Sequence, residues 1–138
     1  MTTVGSGQTL VISGGQSSGG ITVLTSGLLD IRSGGTASGT TLSGGTEYVS
    51  GLDSAALVLS GGTEHVFSGG TAVGDVLSAS AFLTVDSGGM ALNTTLAGAE
   101  ETVLGFVSGT TLRVAPLGTT TYEAQQIVFS GGTALAIG

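Results

Sequence analysis

Nine carboxylates, one imidazole and two guanidiniums are the side chains that could do acid–base or metal chemistry in this 138-residue chain. The acids are Asp30, Glu47, Asp53, Glu64, Asp75, Asp86, Glu100, Glu101 and Glu123. The imidazole is His65, and the cations are Arg32 and Arg113. Glu47 and Glu64 form the candidate stacked acidic pair. Each follows a threonine that opens a repeat unit, Thr46 and Thr63, so adjacent strands would hold them about 5 Å apart. Stacked like charges are unfavourable. Such a pair therefore signals a cation, a carboxylate dyad for polysaccharide cleavage, or two side chains that simply point into water. No aromatic platform for a sugar accompanies them, and the solvated reading is the expectation. His65 is the one base available to a Ser–His–Asp arrangement. Its strand position is matched in other units by Leu10, Asp30 and Thr84, which are unrelated, so it reads as an ordinary strand residue. A calcium-binding nonapeptide would need Gly-Gly-x-Gly-x-Asp in successive copies. The nearest stretch, Gly69-Gly70-Thr71-Ala72-Val73-Gly74-Asp75, is one residue too long between its glycines and occurs once. The chain lacks cysteine and lysine, which excludes thiolate metal clusters, a cysteine nucleophile and a phosphate loop. The expectation is no catalytic residue, no cofactor and no metal ligand, hence no enzyme.

The elements that position these residues are repeats. Ser-Gly-Gly recurs eight times, and its expected turn glycines are Gly14 and Gly15, Gly34 and Gly35, Gly44 and Gly45, Gly61 and Gly62, Gly69 and Gly70, Gly88 and Gly89, and Gly131 and Gly132, with a further copy at 18–20. The units run 8–27, 28–45, 46–62, 63–80 and 81–99, with a less regular one from Glu100. In the short segment of most units, the residue two before the serine is β-branched (Val11, Ile31, Val66, Val85). The next residue varies (Ile12, Arg32, Phe67, Asp86). That alternation reads as an inward position followed by an outward one on a strand. Tyr48 breaks the rule, as a shortened turn would make it do. In the long segments a large apolar residue precedes the turn: Leu42, Leu59, Leu77, Leu96, Val107, Phe129. Glycine every 8 to 10 residues opposes helix, at about 1 kcal/mol each relative to alanine. Val, Ile and Thr between the glycines favour strand.

One such unit cannot bury its inward row alone, whereas stacked units can. The expected fold is all-β, a right-handed parallel β-helix (β-solenoid) of about seven coils with 17–20 residues per coil. The expected organisation is a single domain over 1–138, with regular repeats at 8–112, an irregular turn or loop at 113–126 and a final strand segment at 127–138. Pro116-Leu117-Gly118 reads as a turn or inserted loop, and the stretch 122–126 as the place for a short helical turn. Leu135, Ala136 and Ile137 form an apolar last strand. Neither end reads as a polar cap, and the sequence stops within a repeat. An excised piece of a longer solenoid is the expected reading, and end-to-end assembly into a fibre is its competitor.

Composition narrows the function. Gly, Thr and Ser supply 27, 21 and 17 residues, yet 40% are hydrophobic and only 8% charged, which opposes disorder. The net charge of −7 removes the basic footprint that nucleic acid or an anionic membrane surface requires. No apolar run is long enough to insert into a membrane as a helix. The adjacent threonine pairs Thr40-Thr41, Thr94-Thr95 and Thr110-Thr111 should point to opposite faces. That opposes the Thr-x-Thr array of an ice-binding face.

The units 28–45 (Leu-Leu-Asp-Ile-Arg-Ser-Gly-Gly-Thr-Ala-Ser-Gly-Thr-Thr-Leu-Ser-Gly-Gly) and 63–78 resemble the roughly nineteen-residue passenger repeats of AIDA-type autotransporter adhesins. The resemblance covers 8–112 and 127–136. It implies a β-solenoid secreted to the bacterial cell surface, working in adhesion, self-association or biofilm formation. The implied partners are further copies of the chain, cell-surface or matrix molecules, and a protein glycosyltransferase that would decorate serine and threonine. The alternative is a fibre or scaffold subunit that stacks end to end. A polysaccharide-active enzyme comes third.

Overall fold

A computed structural model describes residues 2–117 and 120–135. The chain winds as a parallel β-solenoid with three faces, each a seven-stranded sheet. The first sheet stacks Thr9–Ile12, Leu28–Ile31, Thr46–Val49, Thr63–Val66, Phe82–Val85, Glu100–Val103 and Gln125–Val128. The second stacks Ser17–Gly19, Thr36–Ser38, Leu52–Ser54, Thr71–Val73, Met90–Leu92, Phe106–Ser108 and Thr133–Leu135. The third stacks Thr2–Val4, Ile21–Leu24, Thr41–Ser43, Leu57–Val58, Val76–Leu77, Thr95–Ala97 and Thr111–Arg113. Six complete coils result, with partial coils at either end.

Inward side chains line up in ladders. In the first sheet Ile12, Ile31, Val49, Val66, Val85 and Val103 form one ladder, buried throughout. In the third sheet Val23, Leu42, Val58, Leu77 and Leu96 form another. Burying each such side chain contributes about 1.5–3 kcal/mol. The second sheet is lined mostly by alanine: Ala37, Ala72 and Ala91, with Asp53 between the first two. Small side chains let that face close on the other two.

The Ser-Gly-Gly turns divide two tasks between their glycines. Gly69 takes φ of 83°, which a side chain would strain. A Cβ on Gly70 would collide with the carbonyl oxygen of Val49 in the coil below. The first unit is shifted by one residue. There Gly15 has the positive φ, and Gln16 occupies the place of the second glycine. The Gln16 side-chain oxygen accepts the Ser13 N–H at 2.8 Å and closes the turn.

That shift corrects two sequence readings. Ile12, not Val11, pairs with Ile31 and is buried. The partner of His65 in that row is consequently Val11 rather than Leu10. Burial of an apolar row sets register more strongly than the turn does, because a one-residue slip would turn every side chain to the wrong face. For the same reason Val58 rather than Leu59 fills the third-sheet ladder. Phe129 is exposed, since it follows the inward Val128 position. Tyr48 breaks the rule because its turn holds only Ser50 and Gly51 before the strand Leu52–Ser54, so Val49 lies inward.

The irregular stretch is an antiparallel pair, Ala115–Leu117 with Thr120–Tyr122, followed by the return strand Gln125–Val128. The helical turn expected at 122–126 is therefore absent, because Gln125 already pairs with Glu100 in the first sheet. Gly118 and the end of the apolar last strand, Ala136 and Ile137, lie outside the described residues.

Candidate functional site

A second turn, between the second and third sheets, places the chemistry. A single left-handed residue makes that corner in six coils: Gly20, Gly39, Ala55, Gly74, Asn93 and Gly109. The residue after it points inward. In successive coils these residues are Ile21, Thr40, Ala56, Asp75, Thr94 and Thr110, all buried. The sequence reading gave these glycines no common role, although Gly39, Gly74 and Gly109 each precede the inward residue. The threonine pairs divide as expected, with Thr40, Thr94 and Thr110 buried and Thr41, Thr95 and Thr111 facing out.

Opposite this corner lies an inward ladder of the first sheet: Leu10, Leu29, Glu47, Glu64, Leu83, Glu101 and Gln126. Glu47 and Glu64 are in-register neighbours on it. Both are fully buried, which corrects the expectation that they face water. Counting from Ser-Gly-Gly could not find this. Their inward placement follows from the offset of two positions between each glutamate and the valine that fills the core, Glu47 to Val49 and Glu64 to Val66.

Five of the nine carboxylates are buried: Glu47, Asp53, Glu64, Asp75 and Glu101. Four of them meet. Oxygens of Glu47, Asp53 and Glu64 lie within 4.8 Å of one another. Asp75 joins them, and its Oδ1 accepts the Ala56 N–H at 2.9 Å. Neither oxygen of Glu47, Asp53 or Glu64 has a hydrogen-bond partner, nor does Asp75 Oδ2. The fully buried Thr40 hydroxyl lies beside Glu47 without closing a hydrogen bond.

Burial drives the electrostatics. Desolvation, then the Asp53 and Asp75 carboxyls, raise Glu47 well above the usual range. Desolvation and then Asp75 push Asp53 up to about 8. Glu64 is raised well above its ordinary value by burial and then by Asp75, Glu47 and Asp53. Asp75 rises by burial, opposed by the Ala56 N–H. Among the described residues the side-chain contacts between acidic and basic groups lie outside this cluster: the Arg32–Asp30 ion pair at 3.2 Å, and His65 Nε2 against Asp86 Oδ2 at 2.9 Å.

Glu101 is built differently. Its Oε2 accepts the Gln126 side-chain N–H at 2.6 Å and the Thr110 hydroxyl at 3.2 Å. Burial raises its carboxyl, and these two donors oppose the rise.

On the outer surface His65 stacks on Phe67, with centroids 4.3 Å apart and 11° between planes. Tyr48 meets Phe67 edge-on at 5.2 Å. Leu52 and Met90, in one outward row of the second sheet, are exposed, as are Leu57 and Val76 of the third. At the turns Ser33, Ser68 and Ser87 are exposed.

No family model matches the chain, and no curated protein matches it. A solved structure does: the crystal structure of a TibC-catalysed, hyper-glycosylated fragment of TibA. The two share 26% identity and superpose with a TM-score of 0.70 over 96% of this chain, which spans 63% of that fragment. The stacked-coil architecture read from the Ser-Gly-Gly repeats is thus shared with a protein fragment that carries sugar.

Proposed function

We propose that the chain is part of a bacterial cell-surface or secreted β-solenoid that acts in adhesion, self-association or biofilm formation. The observation that carries this reading is the outer surface. Its rows repeat coil after coil, and they present hydroxyl, apolar and aromatic side chains rather than a convergent set of ionisable groups. Many weak contacts along such rows add by avidity. The likeness of units 28–45 and 63–78 to autotransporter passenger repeats supports the surface location. The similarity to the glycosylated TibA fragment supports a glycosyltransferase partner, with the exposed turn serines as acceptors. On this reading the chain is not an enzyme.

Leu57→Lys and Val76→Lys on the outward row of the third sheet test it. Both residues are exposed, so the fold should persist. The expected result is weaker binding of the purified chain to cells or to itself, measured by surface adhesion and light scattering. Unchanged adhesion in the double variant would remove that row from the function. Constant-width filaments in negative stain, unaffected by the variant, would favour the end-to-end fibre.

A further inference from the structure

We propose that Glu47, Asp53 and Glu64, with Asp75 and Thr40 beside them, enclose a calcium ion in the core of the solenoid. The inference is independent of the adhesive reading, since none of these side chains reaches the outer surface.

Three observations converge. The oxygens of Glu47, Asp53 and Glu64 fall within 4.8 Å of one another, so a point central to all three lies at most about 2.8 Å from each, and a small side-chain rotation brings them to a Ca–O bond of about 2.4 Å. Those oxygens are buried without partners, in a core that supplies Glu101 with two donors. The separate observation is Thr40. Its hydroxyl comes from another coil, is fully buried, has no partner and is placed beside Glu47.

The donor chemistry selects the ion. All the atoms are hard oxygens, with no imidazole or thiolate among them, which disfavours zinc. Magnesium demands a near-ideal octahedron at about 2.0–2.1 Å and keeps several waters, whereas every donor offered here is a fully buried side-chain oxygen. Calcium accepts mixed carboxylate and hydroxyl ligands at flexible angles. Protons are the competing occupant, since Asp75 lies close enough to Asp53 and to Glu64 for a protonated carboxyl to bridge each pair. Alanines make the room: Ala37 and Ala72 flank Asp53 in its ladder, and Ala56 sits between Thr40 and Asp75 in theirs. A closed site of this kind is loaded as the chain folds, so binding and folding are coupled.

The test refolds the whole chain from urea in calcium chloride or in EGTA, dialyses it, and measures bound metal and Tm. The expected result is about one calcium per chain and a higher Tm in the calcium sample, with no matching shift in magnesium. Glu64→Gln and Asp53→Asn should each lower calcium affinity at least tenfold, whereas Glu123→Gln, at an exposed position, should not. No retained calcium together with equal Tm in both media would overturn the site in favour of protons. Retention undiminished in Glu64→Gln would place the ion elsewhere, and an equal magnesium response would overturn the assignment to calcium. Should a variant fail to fold, calcium content and Tm of the unaltered chain decide alone.

Discussion

Glu64 and Glu101 occupy the same ladder of the same sheet, two coils apart, and live in opposite surroundings. Across the core from Glu101 stands Thr110, the residue after the left-handed corner. Across from Glu64 the equivalent residue is Asp75. Thr110 donates, and Gln126 from the next coil donates too, so Glu101 has one oxygen, Oε2, doubly satisfied, although its Oε1 has no partner. Asp75 brings another carboxyl, and with Glu47 and Asp53 the group holds acceptors and no side-chain cation. The lesson is that ladder position decides burial, while one corner residue decides whether a buried acid is solvated by the protein or needs something from outside.

The strongest way to break this contrast is pH. In calcium-free buffer the neutral forms of Glu47, Asp53, Glu64 and Asp75 favour the fold, because burial raises all four. That stabilisation is complete below about pH 4, the unfolded carboxylate range. It is lost as pH rises through the folded values, about 8 for Asp53. Stability from urea melts should therefore fall by several kcal/mol between about pH 4 and pH 8. A flat or rising profile would contradict the clustered geometry. Glu101 adds a smaller share of the same sign, since its donors hold its rise down.

Asp75→Thr sharpens the comparison by giving Glu64 what Glu101 has. It removes one carboxyl and offers a hydroxyl. At pH 8 without calcium it should stabilise the chain by about 1.5–3 kcal/mol, the value of a hydrogen bond to a charged group. Denaturation at pH 8 and pH 4 reads it, with the gain confined to the higher pH. Gln126→Leu does the reverse to Glu101. It strips the 2.6 Å donor and should cost about 2 kcal/mol at pH 7. The smallest effect lies outside the core. His65→Ala removes the contact with Asp86 and the stack on Phe67. As a partly exposed pair it should change stability by no more than about 1 kcal/mol, and a larger loss would mean that the outer row supports the coil.

The sequence by itself determined the coil. Glycine pairs at a period near eighteen residues, with β-branched residues between them, permit little besides stacked short strands, because each unit must borrow a neighbour to bury its row. It also set Glu47 beside Glu64, since consecutive units open with the same Thr-Glu pair. Only the tertiary structure decided which way those side chains face. The Ser-Gly-Gly triplet tolerates a one-residue slip, as at Gln16, or a two-residue deletion, as after Val49, and each changes the count from turn to core. Asp53 and Asp75 are far from the glutamates in local pattern. They join them because the three faces of the solenoid close on one axis, and proximity across that axis is a property of the wound coil.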